Sequence, residues 1–281
     1  MNDNKTSKNY IVAKFSVPIS FLILFFLAAN FTGCDLVTFW KRRSHLTDLV
    51  VDMIPPDFSY IQKILLPLFY TIQMSVTGTV LGTFFALVLS PFGAANLGFP
   101  AVMRRILRIV IQILRSFPAL ILALTATFLF GLGTFAGTFA ITLYTFAIMT
   151  KLTYEDASAA DVKAYQALRA MGVSKYVAYI HGILPEIIPG FLTNALYLLE
   201  TNVRHSSILG YVGAGGIGLL LNEKISWLEY DKVGTILLML FLTVCVIEYF
   251  SRYLAALIRK ERTIKKEQAR LLLLFLAALF L

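Results

Sequence analysis

Charge is scarce in this chain. Only 15% of its 281 residues are Asp, Glu, Lys or Arg, and 58% are hydrophobic; soluble domains average about 25% charged and about 45–50% apolar. Cysteine is nearly missing. Cys34 and Cys245 are the only two, far apart and in or beside apolar segments, which excludes a disulfide framework or a thiolate metal site. The three histidines, His45, His181 and His205, are too scattered to hold a metal, and no metal or cofactor is expected. No G-x-x-x-x-G-K-[ST] phosphate loop occurs, so the chain does not hydrolyse ATP by that machinery.

What is present is apolar sequence in long runs, and about 20 apolar residues cross the roughly 30 Å core of a bilayer. The pattern predicts an all-α, polytopic membrane protein with about six spans, near 15–32, 66–89, 119–130, 134–149, 188–209 and 233–257. The third is short and has an alternative start near Val110. Three regions follow: 1–65, a first span and an extramembrane segment; 66–260, the membrane core; and 261–281, an apolar tail too short to cross comfortably. With both ends inside, cytoplasmic segments hold 18 basic residues and outer segments 7. That bias accounts for the net charge of +9 through membrane topology, without nucleic acid.

Phe31-Thr32-Gly33-Cys34-Asp35 resembles a lipoprotein cleavage box, which would make Cys34 a lipidation site; the favoured reading is an uncleaved span. Arg104, Arg108 and Arg115 share one helical face. The plain reading pairs that face with anionic lipid head groups. The sharper one has Arg115, just before Ser116-Phe117-Pro118, facing protein or a pathway.

Residues 151–187 break the apolar pattern. Thr153 and Asp156 read as a capping box opening a helix. Ala157, Ala160, Ala164, Ala167 and Met171 then recur at helical spacing as a face of small side chains. Gly172 is placed to end that helix, and Ser174 to cap another that stops before Pro185. Two short helices joined at a glycine form a compact knob suited to docking in a partner's groove.

Within that stretch Gln166-Ala167-Leu168, then Gly172, then Leu184-Pro185 resemble the cytoplasmic loop of permeases from binding-protein-dependent ABC importers. Family members typically carry Glu-Ala-Ala, Gly and Ile-x-Leu-Pro at this spacing, so Gln166, Leu168 and Gly182 depart from the pattern. The departures bear on charge pairing through the usual Glu and leave the docking geometry intact. The resemblance covers about residues 66–260. Arg115-Ser116-Phe117-Pro118, Gly131-Leu132-Gly133, Asn202-Val203-Arg204 and the string from Ser207 to Gly218 are similar to phosphonate importer permeases. Methionine-type permeases share the glycine run.

The resemblance implies a methionine-importer-permease-like fold and an inner-membrane permease working as a homodimer. It also implies two ATPase subunits, a solute-binding protein for phosphonate, and no enzyme activity in this chain. Gln166, Ala167, Leu168, Gly172, Leu184 and Pro185 would meet the ATPase. Gly213, Gly215, Gly216 and Gly218 also satisfy G-x-G-x-x-G, but dinucleotide binding requires a soluble βαβ unit. Between spans, they suit close packing or a bend at an outer gate.

Ionisable groups in spans are functional candidates. Glu200 and Arg204 lie four residues apart and read first as a structural ion pair. Alternatively, Arg204 with Asn202, Ser206 and Ser207 offers a positive field and neutral donors to a tetrahedral oxyanion. Arg115 joins that expected pathway. The rival readings are a permease for methionine or another small solute, a membrane-embedded enzyme, and a scaffold recruiting a partner through the polar loop.

Overall fold

A computed structural model describes residues 16, 18–29, 31–33 and 40–258; Cys34 and the tail 261–281 lie outside the described residues. The chain divides into two units, Met1–Ile54 and Pro55–Leu281. In the first, the apolar helix Pro18–Ala29 (α1) carries the described part of the first hydrophobic run. A second helix, Arg43–Asp52 (α2), follows Trp40, whose ring lies 4.4 Å from the Arg43 guanidinium carbon.

The α-helices of the second unit are Ile61–Gly93 (α3), Ala101–Ser116 (α4), Ala119–Phe130 (α5), Thr134–Ala159 (α6), Lys163–Ala170 (α7), Lys175–Gly182 (α8), Leu184–Leu209 (α9), Ile217–Ser226 (α10) and Tyr230–Ile258 (α11), joined by loops and short turns. Three segments, Phe58–Gly93, Thr134–Ala159 and Tyr230–Ile258, are long and apolar enough to cross a membrane. Two bent pairs, α4 with α5 at 94° and α8 with the helix from Leu184 at 69°, bring the total to five among the described residues.

The α3–α6 pair forms the spine. On α3, a Cβ at Gly78 would stand 2.6 Å from Ile141 Cγ2, and one at Gly82 would stand 2.8 Å from the Thr142 carbonyl oxygen. The four-residue glycine spacing therefore lets two backbones close on each other. The same helix buries Thr71, Ser75, Thr79 and Thr83. Each hydroxyl donates to the carbonyl four residues earlier, at 2.6–2.9 Å, so none is left unsatisfied in an apolar setting.

Local expectations were overridden in three places. The second span, expected to end at residue 89, continues through Ser90-Pro91-Phe92-Gly93, and at Gly93 the Tyr154 ring packs so closely that a Cβ would stand 2.7 Å from it. Thr153 opens no helix: it is 2% exposed inside α6, and its hydroxyl donates to Met149 O at 2.7 Å. Burial of Ala157 against Ala94 and Leu97 outweighs the capping pattern, and the break falls at Ala160–Val162. The run near Val110 does not extend the third span either. Phe117 adopts ψ 127°, the extended state favoured before proline, and Pro118 then starts α5.

Candidate functional site

The polar stretch folds into a knuckle of α7 and α8. Asp161 Oδ1 accepts the Lys163 N–H at 3.0 Å; that backbone bond leads the causes holding the carboxyl below its ordinary range. Gly172, at φ +83°, makes the left-handed turn after α7 that side chains resist. Arg169 donates to the Val173 carbonyl across the same turn, and Ser174 caps α8 by accepting the Val177 N–H. Underneath, Tyr165, Ala178, Tyr179, Ile183 and Ile187 pack with Ala94 and Leu97. Tyr165 donates its hydroxyl proton to Leu97 O at 2.6 Å, and Lys175 donates to Gly98 O. The knuckle is thus tied to the loop after α3.

The expected stripe of small residues is split between two sides. Ala157 is buried and Ala160 packs on the cluster, while Ala164, Ala167 and Met171 face outward with Gln166 and Gly172. Leu168 and Leu184 pack inward, and Pro185 is exposed in the first turn of α9. The outward surface that remains mixes Ala164, Ala167 and Gly172 with Gln166 and Met171, and is bordered by the exposed Asp161–Lys163 pair. Gly182 earns its place sterically, since a Cβ would lie 2.8 Å from Tyr165 N; sequence comparison registered it only as a departure.

At the α4–α5 elbow the arginines part company. Arg104 donates to Ala95 O at 3.3 Å and Arg108 to Gly93 O at 3.1 Å. Arg108 also lies 5.1 Å from the Tyr154 ring centroid. Two arginines expected at lipid head groups therefore brace the end of α3, because the carbonyls at a helix C-terminus lack intrahelical donors. Arg115 has no hydrogen bond or ion pair among the described residues. It stands between two cavities. One, of about 420 Å³, is lined by Arg115 through Leu120, Tyr144, His205, Ile208 and Leu209. The other, about 320 Å³, is lined by Arg108, Gln112, Lys151 and Tyr154 among others. No described carboxylate lines either. Arg115 is exposed and lines the larger cavity together with Tyr144, which sits near the middle of the 26-residue α6. Lys151, ion-paired with Glu155 at 3.4 Å, and Tyr144 were not foreseen; Tyr144 offered only a hydroxyl in an apolar run, and Lys151 lay at the start of the polar stretch.

The cluster expected around Arg204 is dispersed. Arg204 pairs with Glu200, as the spacing predicts, and its side chain is 51% exposed. Asn202 is fully buried and donates through Nδ2 to Thr79 Oγ1 and Thr145 Oγ1, both at 2.8 Å. Ser206, also buried, accepts from Ser75 at 3.1 Å and donates to Val203 O. Ser207 donates to Arg204 O. Asn202 and Ser206 therefore join α9 to α3 and α6 and do not converge with the Arg204 guanidinium.

The glycine string forms a tight turn. Gly213, Gly215 and Gly216 all have φ between +72° and +83°, a run that only glycine adopts readily. Gly133 N–H donates to Gly213 O at 2.9 Å, fastening the α5–α6 turn to it. A Cβ on Gly218 would overlap the Ser207 carbonyl oxygen, and Ile217 N–H donates to Thr71 Oγ1 at 2.8 Å. Thus α10 folds back against α3 and α9.

Comparison with known proteins agrees with this architecture. Residues 78–261 match the family described as binding-protein-dependent transport system inner membrane component. The chain is 31% identical to the phosphite transport system permease protein PtxC of Stutzerimonas stutzeri, over 80% of this chain and 82% of that protein. It is also 31% identical to the phosphate-import permease protein PhnE of Mycolicibacterium smegmatis, over 72% of this chain and 38% of that longer protein. Among solved structures, an inward-facing conformation of the MetNI methionine ABC transporter superposes with a TM-score of 0.63 at 20% identity, covering 72% of this chain and 99% of that one. An amino acid ABC transporter gives 0.56 at 15%. At those identities the likeness concerns the fold. The chain belongs to the binding-protein-dependent transport system inner membrane components: it is a multi-pass permease subunit of an ABC importer, partnered by an ATPase and a solute-binding protein, and not itself an enzyme.

Proposed function

We propose that this permease conducts a small tetrahedral phosphorus oxyanion, a phosphonate or phosphite, as a homodimer seated on two ATPase subunits. The observation that carries the cargo reading is Arg115, an arginine without a counter-ion among the described residues, between two cavities free of described carboxylates. Arg115 is exposed and lines both cavities, so its guanidinium is open to an arriving oxyanion, the partner its fork geometry fits. The relatives named for phosphite and phosphate transport favour the same chemistry. Arg204 and Ser207 would form the outer approach. Asn202 and Ser206 would set the position of α9, which carries both.

The outward face of the knuckle, with Gln166, Ala167 and Gly172, would seat in the ATPase, while Leu168, Leu184 and Pro185 hold it on α9. Closure of the ATPases would move that knuckle and, through α9, the turn at Gly213, Gly215, Gly216 and Gly218. This is a ligand-driven shift between two packings. The test is uptake into vesicles containing the permease, its ATPase and its binding protein. The expected result is ATP- and binding-protein-dependent entry of labelled phosphite or methylphosphonate. Entry of methionine with exclusion of both oxyanions overturns the cargo reading.

A further inference from the structure

We propose that Tyr144 and His205 complete an oxyanion-binding station with Arg115 inside the permease, so that cargo is recognised here as well as by the binding protein. This rests on the cargo reading above and adds the residues that would hold the anion.

Three facts converge on the larger cavity. Arg115 enters from the α4–α5 elbow, Tyr144 from α6 and His205 from α9, all lining one space of about 420 Å³. The Tyr144 hydroxyl has no hydrogen-bond partner among the described residues. It is therefore a free donor on a helix where Thr138, Thr142, Thr153 and Ser158 bond within their own turn. The His205 ring lies edge-on to Tyr144, with centroids 5.4 Å apart, and its Nδ1 is buried without a described partner. A buried N–H lacking an acceptor is rarer than an under-used lone pair. The proton of the neutral ring accordingly belongs on Nε2, the nitrogen that is not among the buried, unpartnered atoms of a ring that lines the cavity.

The station then offers one permanent cation and two neutral donors from three different helices. A tetrahedral oxyanion presents oxygens in three directions at once, and this set meets them without a second full charge. The balance suits a conduit, where binding must be strong enough to admit an ion and weak enough to release it. Because the three donors lie on separate helices, the station also comes apart when those helices shift.

The test uses the full permease–ATPase complex in nanodiscs, without binding protein, and equilibrium dialysis against radiolabelled phosphite. Wild type should retain phosphite, and Tyr144→Phe and His205→Phe should each weaken retention roughly tenfold, the loss expected when a hydrogen bond to a charged group is removed. His205→Gln, which keeps a neutral N–H donor, should recover most of that loss; a purely structural role for the ring would not be rescued by an amide. Retention by both Phe variants at the wild-type affinity overturns the station. So does a wild-type complex that transports phosphite in vesicles yet retains none here, a result that leaves the cargo reading standing. Failure of wild type to transport either oxyanion in vesicles removes the cargo reading itself.

Discussion

Gly182 and Tyr165 meet backbone to backbone: a Cβ on the glycine would stand 2.8 Å from Tyr165 N and 2.9 Å from its Cα. That approach lets α8 lie flat on α7. Gly182→Ala should push the two helices apart at a cost of about 1–3 kcal/mol. The expected outcome is loss of ATPase co-purification together with uptake, measured on the same preparation.

Gly218 is a harsher case. Its Cβ position is already occupied by the Ser207 carbonyl oxygen and the Gly210 backbone, neither of which is a flexible tip. Gly218→Ala should displace α10 from α9 and lower the unfolding midpoint in detergent, again by roughly 1–3 kcal/mol or more. Uptake should fall even where the ATPase still binds, since the change lies at the glycine turn.

Asn202→Leu removes two buried interhelical hydrogen bonds while keeping the branched heavy-atom skeleton. A loss of about 1–2 kcal/mol is expected, in the range of such bonds between membrane helices. Thermal unfolding of the purified complex checks it. Phosphite affinity of the folded fraction should change little, because Asn202 faces Thr79 and Thr145.

Arg204→Gln removes an exposed cation but strands Glu200, whose side chain is only 12% exposed. Adding Glu200→Gln should recover the stability lost, with a coupling of about 0.5 kcal/mol in a double-mutant cycle. Uptake that stays low in the double variant would assign the guanidinium to the outer approach; uptake that returns would assign it to the pair.

The corner between α10 and α11 carries an acid-sensitive contact. Hydrogen bonds from Lys232 and Lys224 hold the Glu229 carboxyl below its ordinary 4.5. A carboxylate with a depressed value contributes stability in full above 4.5 and loses it as pH falls through the lower folded value. The unfolding midpoint of Glu229→Gln should therefore lie below that of wild type at pH 7, and the gap should narrow below pH 4.5.

Much of the knuckle was legible because its signals are local. Gly172 turns at positive φ and Ser174 caps because those residue types satisfy nearby backbone groups themselves. The glycine pair 78 and 82 was equally readable, since helical periodicity puts both on one face. Thr153 and Asp156 misled for the opposite reason: a capping box has meaning only at a free helix end, and burial of Ala157 kept that end inside α6. The recess at Arg115 was half visible. Its cation adjoins a proline that breaks the helix, but the groups facing it come from α6 and α9, and no local pattern brings Tyr144 and His205 together. Asn202 shows the converse, a polar residue beside Arg204 in sequence that points to another helix in space.

The hydroxyl ladder of α3 has a mechanical consequence. Thr71, Thr79 and Thr83 each discharge their proton onto their own helix, and Ser75 shares its proton between Thr71 O and Ser206 Oγ, so α9 can slip past this surface without stranding a donor. Few cross-links, among them Ser75 to Ser206 and Thr79 to Asn202, have to exchange during such a stroke. In effect the helix is a pre-lubricated bearing, polar enough to guide its neighbour and self-sufficient enough not to seize it.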